Sequence, residues 1–193
     1  MTISKISVFC GSRTGNDPQF KNAAIELGKT FVQNDIDLVY GGGKIGMMGI
    51  LADSVLNEGG DVIGVIPEFL EEKELAHPDI TTLHVVKSMH ERKELISNIS
   101  DGFIALPGGL GTMDEFFEIV TWAQLNLHQK PCGVLNINGY FDDIINFLIN
   151  SVNNEFVQQE FVDMIMFEEH PRNLLERFFN YKHPKVEKRL ELE

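Results

Sequence analysis

The residues best suited to chemistry lie in a glycine-rich segment at positions 106–118, LPGGLGTMDEFFE. This segment follows an apolar run with the composition of a buried strand, and Pro107 ends the run because proline has no N–H to donate to a β-ladder. Three glycines within four positions let a ligand approach the backbone closely. A helix is predicted to begin at Thr112, and the unpaired N–H groups and positive dipole of a helix start suit a phosphate. The predicted loop consists of Gly108, Gly109, Leu110, Gly111 and Thr112.

Two residues of this segment also have a simpler interpretation. Thr112 and Glu115 match the Ser/Thr-x-x-Glu capping box, in which each side chain binds the backbone N–H of the other residue. The capping box explains these two residues by themselves but leaves the three glycines unexplained. We therefore favour the ligand loop.

A second cluster, MHERK, opens a predicted helix at residues 89–93. Arg92 and Lys93 at a helix start oppose the helix dipole, which favours acidic groups there. An arginine can hold a phosphate through two parallel hydrogen bonds, and a lysine adds a point charge. The alternative is a solvated face on which the two cations pair with Glu91 and Glu94.

Strands alternate with helices along the whole chain, which predicts right-handed βαβ crossovers. The expected fold is an α/β doubly wound parallel sheet with helices on both faces. It would form one domain over residues 1–182, followed by a charged C-terminal tail over residues 183–193. Predicted strands lie at residues 5–10, 36–40, 61–66, 80–86, 102–106 and 131–137, with a possible edge strand at 164–167, and predicted helices lie at 18–31, 47–56, 88–98, 112–127, 140–150 and 171–179.

Ligands of such sheets bind outside the carboxyl ends of the strands. Four segments follow predicted strand ends: Ser12 and residues 41–46, 88–93 and 108–112. Because parallel strands place these ends at one edge, we expect a single site there.

The glycines in residues 41–46 satisfy GxGxxG, the dinucleotide fingerprint. The match follows the second strand rather than the first, and no acidic residue ends the next strand to bind a ribose. Binding of NAD is therefore a minor alternative, and the segment, including Gly43, is interpreted as a close-approach turn beside the ligand.

Composition narrows the classes of partner. A net charge of −13 and an isoelectric point near 4.8 argue against nucleic-acid polymers and anionic membranes. Cys10 and Cys132 are isolated, which is typical of buried thiols in a reducing compartment. Neither a signal peptide nor a membrane-spanning run is recognisable, so a cytoplasmic location is predicted. The histidines lack metal-binding spacing, and neither a metal nor a cofactor is predicted.

The combination of MHERK with PGGLGTMDE, preceded by CGS and YGGGKIGMMG, closely resembles the LOG ("lonely guy") family over nearly the whole chain. These proteins are cytokinin riboside 5′-monophosphate phosphoribohydrolases, long mislabelled as lysine decarboxylases. The resemblance implies a Rossmann-like homodimer that hydrolyses the N-glycosidic bond of a purine nucleoside 5′-monophosphate. The products would be the free base and ribose 5-phosphate. The decarboxylase label does not fit, since no lysine has an evident pyridoxal-phosphate setting.

The resemblance also implies roles for individual residues. Arg92 and Glu115 would form the catalytic pair. Lys93, Gly109, Gly111 and Thr112 would hold the nucleotide, and Glu74 and Thr121 match further substrate contacts. Together with neighbouring loop residues, the predicted substrate-binding set is Ser12, Gly43, Glu74, Met89, Lys93, Gly108, Gly109, Leu110, Gly111, Thr112 and Thr121.

The chemistry of glycosidic cleavage is consistent with these roles. The transition state resembles an oxocarbenium ion, so a carboxylate beside the ribose would stabilise it and could orient the attacking water. Glu115 should face the sugar rather than the phosphate, because two anions repel. Arg92 could orient the substrate, offset the phosphate charge or assist departure of the base, and the sequence leaves these three roles open.

Two questions remain open at this level. The same loops could carry a nucleotide or a molybdenum cofactor without hydrolysing it, although a carrier needs no carboxylate beside a bound anion. The base is also undetermined, because an isopentenyl-bearing adenine requires an apolar slot that AMP does not. Met47, Met48 and Met89 could form an adaptable wall for it or could pack in the core.

Overall fold

The computed structural model describes residues 2–71 and 76–184. These residues form a seven-stranded parallel sheet with the strand order β4-β3-β2-β1-β5-β6-β7. The strands are β1 (Lys5–Phe9), β2 (Asp37–Tyr40), β3 (Val62–Pro67), β4 (Thr82–Val86), β5 (Gly102–Ala105), β6 (Cys132–Leu135) and β7 (Ile165–Glu168).

Helices follow the strands and begin where the sequence provides start signals. Asp17 accepts a hydrogen bond from the Gln19 N–H at 2.9 Å and Pro18 occupies the first helical position, so the first helix starts there. The helices are α1 (Pro18–Gln33), α2 (Gly46–Asn57), α3 (Glu68–Glu71), α4 (Met89–Ile99), α5 (Leu110–Gln124), α6 (Asp142–Asn153), α7 (Gln159–Val162) and α8 (Pro171–Phe179), with a 3-10 turn at Ile137–Gly139.

Two apolar layers cover the sheet. Helices α1, α2 and α8 pack on one face, where their leucines meet strand residues such as Ile6 and Leu38. Helices α4, α5 and α6 pack on the other face, against alternate strand residues such as Phe9 and Val39. Alternation of side chains along each strand therefore supplies both layers, and the predicted doubly wound parallel fold is confirmed.

The edge that carries the site is set by the strand order. Strands β2, β3 and β4 follow one another from β1 to one edge of the sheet, and β5 lies beside β1 on its other side. The loops after β1 and β5 consequently diverge to opposite faces and leave a crevice between them, which is where ligands of such sheets bind.

Most element predictions are correct to within two residues, including the edge strand β7. One boundary matters for the site: α5 begins at Leu110, with Gly109 as its N-cap, and not at Thr112 as the sequence predicted. The prediction of a tail over residues 183–193 lies mostly outside the described residues. Within the described residues, no helix is both long enough and apolar enough to cross a bilayer.

Candidate active site

A cavity of about 310 Å³ opens at the carboxyl ends of the strands, between β1 and β5. Residues of the predicted loops line it: Ser12, Gly41, Met89, Arg92, Gly109, Leu110, Gly111, Thr112 and Glu115. Met48, which was considered as a wall for the base, also lines it. The sequence prediction did not include the remaining lining residues, which are Val8, Phe9, Cys10, Gly11, Leu70 and Asp114.

Arg92 lies in the first turn of α4 with a side chain that is only 7% exposed. Its Nη2 is 3.5 Å from Oε1 of Glu115, and its Nη1 is 3.8 Å from Sδ of Met89. Its buried Nε has no hydrogen-bond partner among the described residues. A buried N–H without a partner costs about 1–3 kcal/mol.

Backbone packing holds the guanidinium in place on one side. An ideal Cβ built on Gly41 would lie 2.3 Å from Nη2 of Arg92, so only glycine lets the chain pass this close. Gly41 follows β2 directly and lines the cavity beside Arg92. The glycine turn was expected to approach a ligand, and in the structure Gly41 packs against Arg92 at the cavity wall.

Glu115 lies in the second turn of α5, facing Arg92, and its side chain is 13% exposed. Cys10 lines the same cavity where β1 ends. Burial raises the pKa of the Cys10 thiol, and the negative charge of Glu115 raises it further. Cys10 is therefore a neutral neighbour of the carboxylate and not a thiolate nucleophile.

The start of α5 has no side-chain cap. Its N-cap residue is Gly109, and no side-chain hydrogen bond caps this end of the helix. The capping-box interpretation of Thr112 and Glu115 is therefore wrong, because Thr112 is already inside the helix. The first N–H groups of the helix have no intrahelical partner and lie at the cavity, where an anion can bind them.

The three loops around the crevice are tied together by their backbones. The Gly11 N–H donates to the carbonyl of Pro107 at 3.1 Å, and the Met47 N–H donates to the carbonyl of Gly11 at 3.0 Å. Gly46 has a positive φ of 68°, and a Cβ there would lie 2.2 Å from the carbonyl carbon of Ser12. The loop after β1 is thus fixed against both neighbouring loops.

Lys93 lies next to Arg92 in sequence but does not line the cavity. Its Nζ is 2.8 Å from a carboxylate oxygen of Asp114 and 2.9 Å from one of Glu118. Burial opposes the charged ammonium, but hydrogen bonds and negative charge from these two acids outweigh it and raise the pKa of Lys93. Lys93 therefore joins α4, which carries Arg92, to α5, which carries Glu115.

Glu91, one of the two acids that the alternative interpretation pairs with these cations, forms other hydrogen bonds. Glu91 accepts a hydrogen bond from the Lys87 N–H at 2.8 Å, while its own N–H donates to Ser88 Oγ at 3.1 Å. These bonds cap the start of α4.

Two further predicted substrate-binding residues, Thr121 and Gly43, do not line this cavity. Thr121 is exposed on α5, where its hydroxyl donates to the Phe117 carbonyl at 2.7 Å. Gly43 is buried and forms an antiparallel bridge with Ala76. Glu74 lies outside the described residues.

The remaining predicted residue, Gly108, belongs to a second cavity of about 240 Å³ on the α1 side of the β1 loop. Phe20 and Tyr140 form part of its wall, with ring centroids 5.3 Å apart in an edge-to-face arrangement. The Tyr140 hydroxyl donates to the Gly108 carbonyl at 2.7 Å. The two cavities share Gly11, Ser12 and Gly109.

A metal would require a cluster of suitable ligands. The described part of the chain contains no group of three or more His, Cys, Asp or Glu side chains that could hold a metal ion. Arg92 and the helix start are instead suited to an anion.

Comparison with known proteins identifies relatives of this architecture. A cytokinin riboside 5′-monophosphate phosphoribohydrolase from Arabidopsis thaliana is 42% identical over 95% of this chain and 87% of its own length. A protein of the same name from Oryza sativa subsp. japonica is 44% identical over 81% of this chain and 64% of its own length. In fold, the chain matches a molybdenum cofactor binding protein from Rippkaea orientalis with a TM-score of 0.68 at 21% identity, covering 93% of this chain and 98% of that one.

A family model described as "possible lysine decarboxylase" matches residues 48–178. That span includes Arg92, Glu115 and the glycine loop between them. Together with the identity to the two phosphoribohydrolases, it confirms the family that the sequence motifs indicated. The chain belongs to the LOG family, whose model bears the lysine decarboxylase description.

Proposed function

We propose that the protein is an enzyme that hydrolyses the N-glycosidic bond of purine nucleoside 5′-monophosphates and releases the free base and ribose 5-phosphate. The observation that carries this proposal is the ion pair between buried Arg92 and Glu115, in the cavity that also contains the uncapped start of α5. The names of the relatives support it, since both are phosphoribohydrolases of cytokinin riboside 5′-monophosphate.

The phosphate would bind the first N–H groups of α5. This chain has a net charge of −13, so an anionic substrate needs a local positive potential. The dipole of α5 and the guanidinium of Arg92 supply that potential within one cavity. Gly109 and Gly111 have no atom within 4 Å of an ideal Cβ, which leaves the loop open to a ligand.

Glu115 would act on the ribose. It lies three residues beyond Thr112, which corresponds to about 4.5 Å along a helix. A phosphate at the helix start therefore places the sugar, and not the phosphate, beside the carboxylate. As the bond between C1′ and the ring nitrogen of the base breaks, its electron pair leaves with the base. The carboxylate stabilises the positive charge that develops on the sugar.

A water molecule would complete the reaction. Its oxygen bonds to C1′, one of its protons ends on the departing base, and the hydroxyl stays on the sugar. Glu115 is placed to orient this water and to accept its proton in transit. Arg92 would pair with Glu115 and offset the phosphate charge.

The purine would lie against a partly apolar wall. Met48 and Met89 line the catalytic cavity together with Leu70, whereas Met47 lines the second cavity. Methionine adapts its shape to its neighbours, so this wall could accept either a plain adenine or one with an isopentenyl group.

The test is the release of free base from AMP and from isopentenyladenosine monophosphate, measured side by side by chromatography. We expect release from at least one substrate and loss of release in Glu115→Gln, with nucleotide binding retained. Glu94→Gln is a control for loss of a carboxylate, because Glu94 is exposed on α4 and does not line the cavity. If the native protein releases no base from either nucleotide, the hydrolase proposal is wrong.

A non-catalytic carrier of a nucleotide or a molybdenum cofactor is the second candidate. The fold match to a molybdenum cofactor binding protein is the reason to consider it, although 21% identity supports only the fold. A carrier would copurify with an unchanged ligand. It would also tolerate Glu115→Gln without loss of function.

We further propose that the protein acts as a cytoplasmic homodimer, with residues 1–182 as one domain followed by a tail. Exposed apolar side chains on and beside α5, Leu125 and Leu127, are candidates for a buried interface. Sedimentation equilibrium should give twice the chain mass of 21.8 kDa. A monomer mass at micromolar concentration would contradict the proposed dimer.

A further inference from the structure

A buried histidine lies outside the cavity and has no role in the proposed chemistry. The His77 side chain is 1% exposed, and its Nε2 is 3.1 Å from Oδ1 of Asp53 on α2. The Asp79 N–H donates to His77 Nδ1 at 3.3 Å. Because Nδ1 accepts, the ring proton belongs on Nε2, which donates to the Asp53 carboxylate. The neutral imidazole thus bridges α2 and the turn at residues 77–79.

The backbone beside His77 holds the glycine loop that follows β2. The His77 N–H donates to the Gly42 carbonyl at 2.9 Å, and Ala76 forms an antiparallel bridge with Gly43. Gly42 has a positive φ of 81°, and its Cα lies against β3, where a Cβ would be 3.2 Å from Ile66. The loop is therefore held between β3 and residues 76–77, which are fixed to α2 through the imidazole.

The same loop forms one wall of the catalytic cavity. Gly41 packs so closely against Arg92 that a Cβ would lie 2.3 Å from Nη2. The polar contacts of the guanidinium are long, 3.5 Å to Glu115 and 3.8 Å to Met89. Because both polar contacts are long, close packing against Gly41 is a further restraint on the guanidinium.

We propose that His77 is a positioning residue for Arg92. Its hydrogen bonds with Asp53 and Asp79 hold residues 76–77 in place. Residues 76–77 in turn hold the glycine loop after β2, and that loop positions the guanidinium of Arg92. The inference rests on the proposed function, because Arg92 is assigned to that reaction. A displacement of about 1 Å at a reacting group can cost about a hundredfold in rate.

The first variants distinguish the hydrogen bonds of the His77 ring from the space that its side chain fills. His77→Phe keeps a ring of similar size but removes both hydrogen bonds, whereas His77→Gln keeps a donor that can reach Asp53. We expect kcat for base release to fall about ten- to a hundredfold in His77→Phe with KM changed less than about threefold. His77→Gln should recover part of the loss.

A matched control comes from the neighbouring residue of α2. Ser54 is buried and its hydroxyl donates to the Ile25 carbonyl at 2.8 Å, which ties α2 to α1 but not to the glycine loop. Ser54→Ala should lower the melting temperature without lowering kcat. If Ser54→Ala loses as much kcat as His77→Phe, the effect is general destabilisation and the inference is wrong.

A second measurement asks whether His77 acts through Arg92. In an Arg92→Lys background, where the guanidinium is absent, His77→Phe should lower kcat by less than about twofold. Equal fold losses in both backgrounds would overturn the inference, since residues that act as one unit are non-additive.

A third measurement does not depend on turnover. The Nε–H resonance of Arg92, assigned by its loss in Arg92→Lys, should shift or broaden in His77→Phe and stay in place in Ser54→Ala. An unchanged resonance in His77→Phe would overturn the inference. If the native protein shows no base release, the proposed function fails, and this resonance still decides whether His77 positions Arg92.

Discussion

A single methyl group added at Gly41 should displace the guanidinium of Arg92. The new Cβ would lie 2.3 Å from Nη2 of Arg92 and 3.1 Å from Sδ of Met48, whereas ordinary contacts begin at 3.4 Å. Nη2 must therefore move by about 1.1 Å, the difference between 3.4 and 2.3 Å. Gly41 does not have a positive φ, so alanine can adopt the same backbone conformation without strain.

A shift of this size predicts a large kinetic effect and a small effect on stability. Misplacing a catalytic group by about 1 Å can lower the rate about a hundredfold, which corresponds to about 2.7 kcal/mol in activation free energy. The atoms that must move are the end of a flexible side chain, so the free energy of unfolding should change by less than about 1 kcal/mol. The assay is kcat and KM for base release, with thermal unfolding measured on the same samples.

Gly60→Ala provides the steric control. Its Cβ would lie 2.6 Å from Cγ2 of Val32 and 2.9 Å from Cγ1 of Val55, in the turn between α2 and β3 and away from the cavity. Here the crowding is in the core, so the melting temperature should fall while kcat stays near the native value. A kcat within about threefold of native in Gly41→Ala would refute the reasoning that the position of Arg92 limits turnover.

Three further substitutions test other parts of the site. Lys93→Met should lower the melting temperature and kcat, because Lys93 joins α4 to α5, while the nucleotide Kd should change less than about threefold. Calorimetry and kinetics measure these quantities, and weaker nucleotide binding with unchanged stability would show a direct substrate contact instead. In Gly109→Asp, the added carboxylate should cap α5 and raise the free energy of unfolding by about 0.5–1 kcal/mol. The same carboxylate should repel the phosphate and raise KM at least about tenfold. An unchanged KM would contradict phosphate binding at this helix start. Burial raises the pKa of the Cys132 thiol from 9.0 to about 12, so the unfolded chain loses this proton at a lower pH than the folded chain does. The free energy of unfolding should therefore fall as the pH rises above 9. In urea titrations, Cys132→Val should flatten that decline.

The fold could be predicted from the sequence because its signals are local. Short apolar runs, Asp17 before Pro18, and Gly59-Gly60 after α2 mark the alternation of strands and helices. This alternation leaves few topologies. The convergence of the loops followed from the same topology. The structure places both Arg92 and Glu115 at the predicted edge, and their catalytic roles stay a prediction.

Side-chain partners could not be predicted in the same way. Successive helical residues point about 100° apart, so Arg92 and Lys93 had to face different surroundings. Which residue faces the cavity depends on how α4 crosses α5, and that crossing is a property of tertiary packing. The pairing of Lys93 with Asp114 and Glu118 has no local signal, and neither does the bridge from His77 to Asp53.

The glycine turn at residues 41–46 was correctly interpreted as a place of close approach, but the sequence could not predict which group approaches it. Sequence shows that a residue lacks a Cβ and does not show what occupies the space. At Gly41 that space holds the guanidinium of Arg92.

The helix start predicted at Thr112 was wrong, and the structure shows why local capping rules failed there. A capping box would have satisfied the first N–H groups of α5 with the protein's own side chains, as Asp17 does for α1 and Ser88 for α4. Helices α6 and α8 also lack side-chain caps, so an uncapped start does not by itself mark a ligand. What distinguishes α5 is that its open N–H groups share a cavity with a buried arginine whose Nε lacks a partner among the described residues. The uncapped start of one helix and a buried guanidinium on another therefore line one cavity, where a single anionic ligand could contact both helices.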